Sequence, residues 1–274
     1  MAVQTIDRAV AVLNLLGNSG EQGMRLVDLQ RALGLKRPTM HRILASLVEH
    51  GLVACDERSR VYRLGWEAAV LGWSAVRGGY DLREIAQAAM NRLAEETGAT
   101  ALLCACSRRD TVCIDRKAGD YPIKVFTVEV GTRRPLGVGA GSIAVLAAMP
   151  DEEAAAVIES LKGKLKSYPE KLRRGILPAV RAARKAGYAV SDGLVLPSVI
   201  GVGVAIRDPH GATIGTLGIA SFKDSDSDKR IAEYAAMLLR EQARIERTLR
   251  DKVATAAKSP ALKTPLPAAS PRTG

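Results

Sequence analysis

Histidine and cysteine are both scarce in this chain of 274 residues, with three of the first and four of the second. The histidines are His41, His50 and His210; two fall in or beside one basic helical segment and one in a turn. No His-rich metal motif and no Ser/His/Asp grouping can be assembled from them, and no carboxylate pair has a clear role. These absences argue against an enzyme and against any metal or other cofactor. The cysteines, Cys55, Cys104, Cys106 and Cys113, are expected to be reduced thiols in a cytosolic chain. Long apolar runs are missing as well, none approaching the ~18–20 residues that a membrane span requires. The start, Met1-Ala2-Val3-Gln4-Thr5, has no basic stretch before an apolar core, so it does not read as a secretion signal. A cytoplasmic protein with no membrane partner is expected.

What the chain does have is positive charge. The formal net charge is +11, and the isoelectric point is about 9.7. Such a balance favours polyanionic partners, with nucleic acid first. The charge is spread out, with a small excess in the first 65 residues. The length accommodates two domains, one small and one of ordinary size.

The segment from Leu26 to Gly65 reads as helix, tight turn, helix and short hairpin. A preceding helix spans about Thr5 to Leu16, with Thr5 as N-cap, an apolar stripe of Ile6, Ala9, Val10 and Leu13, and Gly17 at its end. In the next helix Val27, Leu29, Ala32 and Leu33 supply the apolar face, and Gly34 ends it. Leu35-Lys36-Arg37 makes the turn, and Pro38 suits the first position of a helix running to His50. There Met40, Ile43, Leu44 and Leu47 fall at i, i+3, i+4 and i+7 and form one stripe. Thr39, His41, Arg42, Ala45 and Ser46 point the other way, a small, polar and basic face that fits a DNA major groove. Leu52–Cys55 and Val61–Leu64 read as two strands around a polar turn, the wing of a winged helix-turn-helix. Lys36, Arg37, Arg58 and Arg60 are placed for phosphate, which fixes register without reading sequence. Thr39, His41, Arg42 and Ser46 lie on the face that meets base edges. A solvated basic face that binds nothing is the bland alternative; the wing weighs against it.

Trp66 to Val76 reads as a linker helix, with Trp66, Val70 and Trp73 on one face. Two tryptophans do not suit a fully hydrated linker. The helix packs either on its own domain or, the favoured reading, on the same helix of a second subunit. Arg77 to Tyr80 reads as a hinge. A second domain then runs from about 81 to 253. It opens with a helix from Leu82 to Gly98, a hairpin of Thr100–Cys106 and Thr111–Lys117, and a third strand over Lys124–Val130. A flexible loop follows from Gly131 to Gly141, then helices over Ser142–Met149, Asp151–Leu161 and Leu177–Ala186. Strands at Tyr188–Val190, Gly201–Asp208 and Ala212–Phe222 and a helix over Ser227–Lys252 complete it. Helices interleaved with hairpins predict an α+β fold with a mostly antiparallel sheet. The remainder, residues 254–274, is rich in Ala, Pro, Lys and Ser and reads as a disordered tail.

Two features of the second domain bear on chemistry. Gly137, Gly139, Ala140 and Gly141 have little or no side chain, the helix near Ser142 aims free N–H groups at the same spot, and Arg133 and Arg134 add charge. A small carboxylate fits such a place; a loop that only turns the chain is the alternative. Cys104 and Cys106 share a strand face, and with Cys113 they allow a thiol or metal cluster. The CxC spacing is weak for zinc and no histidine is near, so buried core thiols are the simpler reading.

Arg8-Ala9-Val10 to Leu16, the Pro-Thr-Met-His-Arg core within Leu35–Gly51, and Tyr62-Arg63-Leu64-Gly65 stand in order, followed by Gly131-Thr132-Arg133-Arg134-Pro135-Leu136, Gly187-Tyr188-Ala189 and Gly201–Ser221. Over about Thr5 to Lys252 the chain resembles the IclR family of bacterial transcriptional regulators. The resemblance implies residues 1–65 as a winged helix-turn-helix, residues 66–80 as a linker and dimerisation helix, and a GAF-like α/β effector domain. It implies double-stranded DNA with a palindromic operator as partner, and a homodimer or dimer of dimers. It also implies a small organic acid effector, held by Leu136, Gly139, Ala140, Gly141, Ser142, Ser191, Asp192, Gly201, Gly218 and Ala220. Against the family pattern, glycines and alanines replace several polar side chains, so a roomier pocket with few polar handles is expected. A thiol-based redox regulator, and behind it a small-acid enzyme, are the rival readings.

Overall fold

The computed structural model describes residues 3–77, 81–121, 125 and 128–258. Its first unit is a three-helix core. Helix α1 (Gln4–Ser19) begins two residues earlier than Thr5 as a cap requires, because the Val3 carbonyl accepts the Ile6 and Asp7 N–H groups at 2.9 and 3.2 Å. It also runs through Gly17 and stops only where Gly20 takes a positive φ of 54°. Helix α2 (Leu26–Leu33) ends at Gly34 in the left-handed conformation, as read from the sequence. Helix α3 (Arg37–Glu49) carries Pro38 in its first turn and buries Met40, Ile43, Leu44 and Leu47. These four pack with Val12, Leu16, Leu29 and Val53. Each such side chain contributes roughly 1.5–3 kcal/mol on burial. Val27 and Ala32, expected on the buried face of α2, are exposed instead. An eight-residue helix offers only a narrow stripe, and Leu29 fills it.

Strands β2 (Val53–Cys55) and β3 (Val61–Leu64) form the wing. A two-residue strand, β1 (Met24–Arg25), pairs with the other edge of β3 and was not foreseen. Helix α4 (Trp66–Arg77) follows, and the hinge proposed after it falls mostly outside the described residues. Trp66 and Trp73 meet edge to face with centroids 5.0 Å apart, and both stay exposed, at 71% and 55%. The helix therefore does not bury its tryptophans on its own domain.

The second unit is a sheet with helices on both faces. Helix α5 (Leu82–Thr97) is capped by Asp81, whose carboxylate accepts from the N–H groups of Arg83 and Glu84. The strands are β4 (Thr100–Ser107), β5 (Asp110–Ala118), β6 (Arg133–Pro135), β7 (Ala189–Asp192), β8 (Val199–Arg207) and β9 (Thr213–Phe222). Their order is β6-β5-β4-β9-β8-β7, and every described pairing is antiparallel. Strand β6 lies where a flexible loop was expected. Of the strand expected over Lys124–Val130, residues 124, 126 and 127 lie outside the described residues, and the other four do not form a strand. Helix α6 (Ala140–Ala148) starts two residues before Ser142, α7 (Asp151–Leu165) extends one turn past Leu161, and α8 spans Glu170–Ala186. Pro178 sits inside α8 rather than near its start, since Leu172 and Ile176 before it and Val180 and Ala183 after it anchor both halves on one core. Helix α9 (Ser227–Lys258) continues through residues 254–258, which were expected in the disordered tail; the rest of that tail is outside the described residues.

Alternation along the strands separates two cores. Ala101, Leu103, Val202, Val204, Leu217 and Ile219 face α5 and α9. Ala189 and Ala205 face α6 and α8. Glu241 of α9 is fully buried and accepts from Arg92 at 2.6 Å and Arg244 at 2.8 Å, tying α5 to α9. No described helix is long and apolar enough to cross a membrane.

Candidate nucleic-acid interface and ligand cavity

Burial of one stripe of α3 forces its other residues outward. His41, Arg42 and Ser46 are exposed and Thr39 is half-buried. Lys36, Arg37, Arg58 and Arg60 are exposed too. The eight expected residues do not form one flat patch. Arg37 and His41 line a notch with Arg25, Ser59, Arg60 and Tyr62, between α3, the start of α2 and the wing. Thr39, Arg42 and Ser46 line a second notch with Thr5 and Arg8 of α1. The helix thus presents two polar ridges with basic groups from neighbouring elements on each side. Arg8 and Arg25 were not foreseen. Arg25 is placed by β1, too short to show an alternation, and Arg8 belongs to a helix that was read only for its apolar stripe.

The wing tip is fixed by Asp56. Its carboxylate accepts from the Arg58 N–H at 2.9 Å and the Ser59 N–H at 2.8 Å, and the Arg60 N–H donates to its carbonyl at 2.8 Å. The bonds to its carboxylate, the one from Ser59 first, hold its pKa below the usual carboxylate range. Arg60 takes a positive φ of 54° to close the turn.

The cavity opens on the α6 face of the large sheet. Gly139, Ala140, Gly141, Ser142, Ser191, Gly201, Gly218 and Ala220 all line it, as expected. Leu136 and Asp192 do not. Leu136 is 1% exposed and packs in the α6–α8 core. Asp192 is exposed and pairs with Lys223 at 2.7 Å. The glycines also act differently from the expectation. A Cβ on Gly141 would lie 2.6 Å from Thr216 Oγ1, and one on Gly203 would lie 2.7 Å from the Gly141 nitrogen. They let α6 seat closely on β8 and β9, so the close approach is by protein rather than by ligand. Gly201 has ordinary room, with 3.6 Å to its nearest neighbour.

Several polar side chains of the cavity come from residues not expected at it, Thr111, Thr132 and Thr216, and the thiols Cys104 and Cys113, noted as a possible cluster, line it too. Arg134, noted for its charge alone, lines it as well. The Thr111 and Ser142 hydroxyls share a buried hydrogen bond of 2.9 Å. Desolvation lowers the pKa of the half-buried Arg134 guanidinium. The space reached by the centre of a water molecule is only about 90 Å³. The cavity is therefore small, with a mainly apolar lining in which these polar groups are set. The Cys113 thiol, the Thr216 hydroxyl and the charge of Arg134 lower the pKa of Cys104 against the effect of burial. The same pairing raises that of Cys113, and burial pushes Cys106 to about 11. Among the described residues no cluster of side chains suits a metal ion.

The IclR helix-turn-helix domain model matches residues 5–57. The bacterial transcriptional regulator IclR C-terminal model matches residues 75–247, more than half of the chain. The chain belongs to the IclR family. The HTH-type transcriptional regulator XynR of Escherichia coli is 24% identical over 249 residues, covering 90% of this chain and 97% of that protein. The IclR transcriptional regulator structure from Alicyclobacillus acidocaldarius matches with a TM-score of 0.72 at 23% identity, covering 90% and 99% of the two chains. An IclR homologue from Microbacterium hydrocarbonoxydans, solved with 4-hydroxybenzoate, matches with a TM-score of 0.69 at 20% identity over the same shares. This member of the IclR family is a DNA-binding helix-turn-helix transcription regulator and not an enzyme. Its fold is the expected one, helix-turn-helix first and a curled antiparallel α/β domain second.

Proposed function

We propose that this IclR-family regulator binds a palindromic operator as a homodimer in the cytoplasm, and that a small organic anion in the cavity changes its affinity for that operator. The observation that carries the effector reading is Arg134. It stands half-buried in a cavity that also holds the side chains of Thr111, Thr132, Ser142, Ser191 and Thr216. A guanidinium set among hydroxyl groups in a small cavity supplies charge-assisted hydrogen bonds to an anionic ligand. The small volume favours a compact acid with few heavy atoms. The 4-hydroxybenzoate held by a family member is consistent with this ligand class. The ligand acts through its different affinity for two arrangements of the dimer.

Exposed Trp66, Leu71 and Trp73 on α4 support association with a second copy. Two-fold symmetry then sets the two α3 helices about 34 Å apart, one turn of DNA. Lys36, Arg37, Arg58 and Arg60 hold phosphate; Thr39, His41, Arg42 and Ser46 meet base edges.

A thermal-shift screen of small carboxylic acids against wild type and Gly201→Leu tests the cavity. An acid that raises the melting temperature of wild type, and releases it from operator DNA or tightens it there, is expected to do neither in the variant. Equal stabilisation of both proteins would move the site elsewhere.

A further inference from the structure

Strand β5 carries an irregularity beside the cavity. Leu103 pairs with Asp115 and Cys104 with Cys113, so Ile114 is left without a partner of its own on β4. Ile114 packs towards the α5–α9 core, and this bulge returns Cys113 to the cavity face beside Cys104. The pair is of a particular kind. The Cys113 N–H donates to the Thr132 carbonyl at 2.9 Å, and its carbonyl accepts from the Gly131 N–H at 2.8 Å. Both backbone groups are thus turned away from β4, which makes Cys104 and Cys113 a non-hydrogen-bonded pair. In such pairs the Cα atoms stand about 4.5 Å apart, within the ~4.4–6.8 Å range that a disulfide needs.

We propose that Cys104 and Cys113 form a reversible, peroxide-driven disulfide inside the cavity. The Cys104 thiolate attacks the outer oxygen of a hydroperoxide, ROOH. The O–O bond breaks, and RO⁻ leaves and takes a proton from water. Cys104 becomes the sulfenic acid, having lost two electrons to the peroxide. The Cys113 sulfur then attacks the Cys104 sulfur, the S–OH bond breaks, and water leaves with the Cys113 proton. In sum, two thiols and ROOH give a disulfide, ROH and water. Arg134 favours the Cys104 thiolate by its charge, and Thr216, the register partner of Cys104 on β9, favours it further. Cys113 is 1% exposed and meets peroxide less readily, which suits the resolving role. Cys106 has no such partner; its register neighbour on β5 is Thr111. The bridge draws the two sulfurs together across the cavity wall. Its effect on a bound anion rests on the effector reading above; its formation does not.

The test uses the full-length reduced protein treated with cumene hydroperoxide. Intact mass is expected to fall by the two thiol hydrogens, with a linked peptide joining Cys104 to Cys113, and dithiothreitol is expected to restore both. Cys113→Ser is expected to stop at a Cys104 sulfenic acid that dimedone traps, whereas Cys104→Ser gives no adduct. Absence of the linked peptide in wild type, or a link through Cys106 or Cys55 instead, overturns the proposal whatever the variants do. Acid-induced thermal shifts of the reduced protein judge the effector reading separately, because they need no oxidant.

Discussion

The DNA-facing surface and the ligand cavity are built in opposite ways. The first is one helix and its immediate neighbours, all within the first 65 residues, and it is exposed because its reverse side is buried. The second collects Thr111 from β5, Arg134 from β6, Ser142 from α6, Ser191 from β7, Gly201 from β8 and Thr216 from β9, spread over more than a hundred residues. A surface formed by one amphipathic element is written in the local spacing of its residues. A cavity formed by sheet pairing is written in register, which local spacing does not show.

Four experiments press on that contrast, in descending order of expected effect. Leu44→Ala removes a fully buried side chain from the helix-turn-helix core and should cost ~2–5 kcal/mol there. Operator binding should disappear while acid-induced stabilisation of the second unit persists. Loss of both would mean that the two regions do not fold independently. Arg42→Ala should weaken operator binding by ~1–3 kcal/mol and leave binding to random DNA almost unchanged. Gel shifts with equal loss on both duplexes would move Arg42 to the phosphate class. Arg37→Ala should do the converse, lowering affinity for all sequences and reducing the slope of log affinity against log salt by ~1. An unchanged slope would take Arg37 off the backbone.

The smallest effect concerns Asp56. Its pKa is lowered in the fold, so its contribution to the wing turn is present above the unfolded pKa and is lost as pH falls through the folded one. Exchange of the Ser59 amide, followed by NMR, should speed up in acid in wild type and show no such titration in Asp56→Ala. An identical pH profile in both would remove the carboxylate from the turn.

The same contrast explains what sequence reasoning saw and missed. The stripe Met40, Ile43, Leu44 and Leu47 was legible because spacing within about two helical turns decides it. The short strand at Met24–Arg25 was not, since two residues carry no alternation. Pro178 suggested a helix start because it lacks an N–H, yet apolar anchors on both sides carry α8 through it. In the cavity the small residues Gly139 to Ser142 were found by composition, whereas their polar neighbours Thr111 and Thr216 become neighbours only through pairing across β4 and β9. Leu136, expected beside the ligand, was drawn into the core by its own apolar bulk.

Strand β6 is only three residues long, and it has two exits. Arg134 points inward to the cavity. Arg133, one step earlier and on the opposite side, donates to the Ser107 hydroxyl at 2.9 Å and lines a cleft shared with Val10 and Asn14 of α1. Because successive strand residues lie ~3.3 Å apart and face opposite sides, a single short strand sets one guanidinium at the cavity and the next at the cleft beside α1.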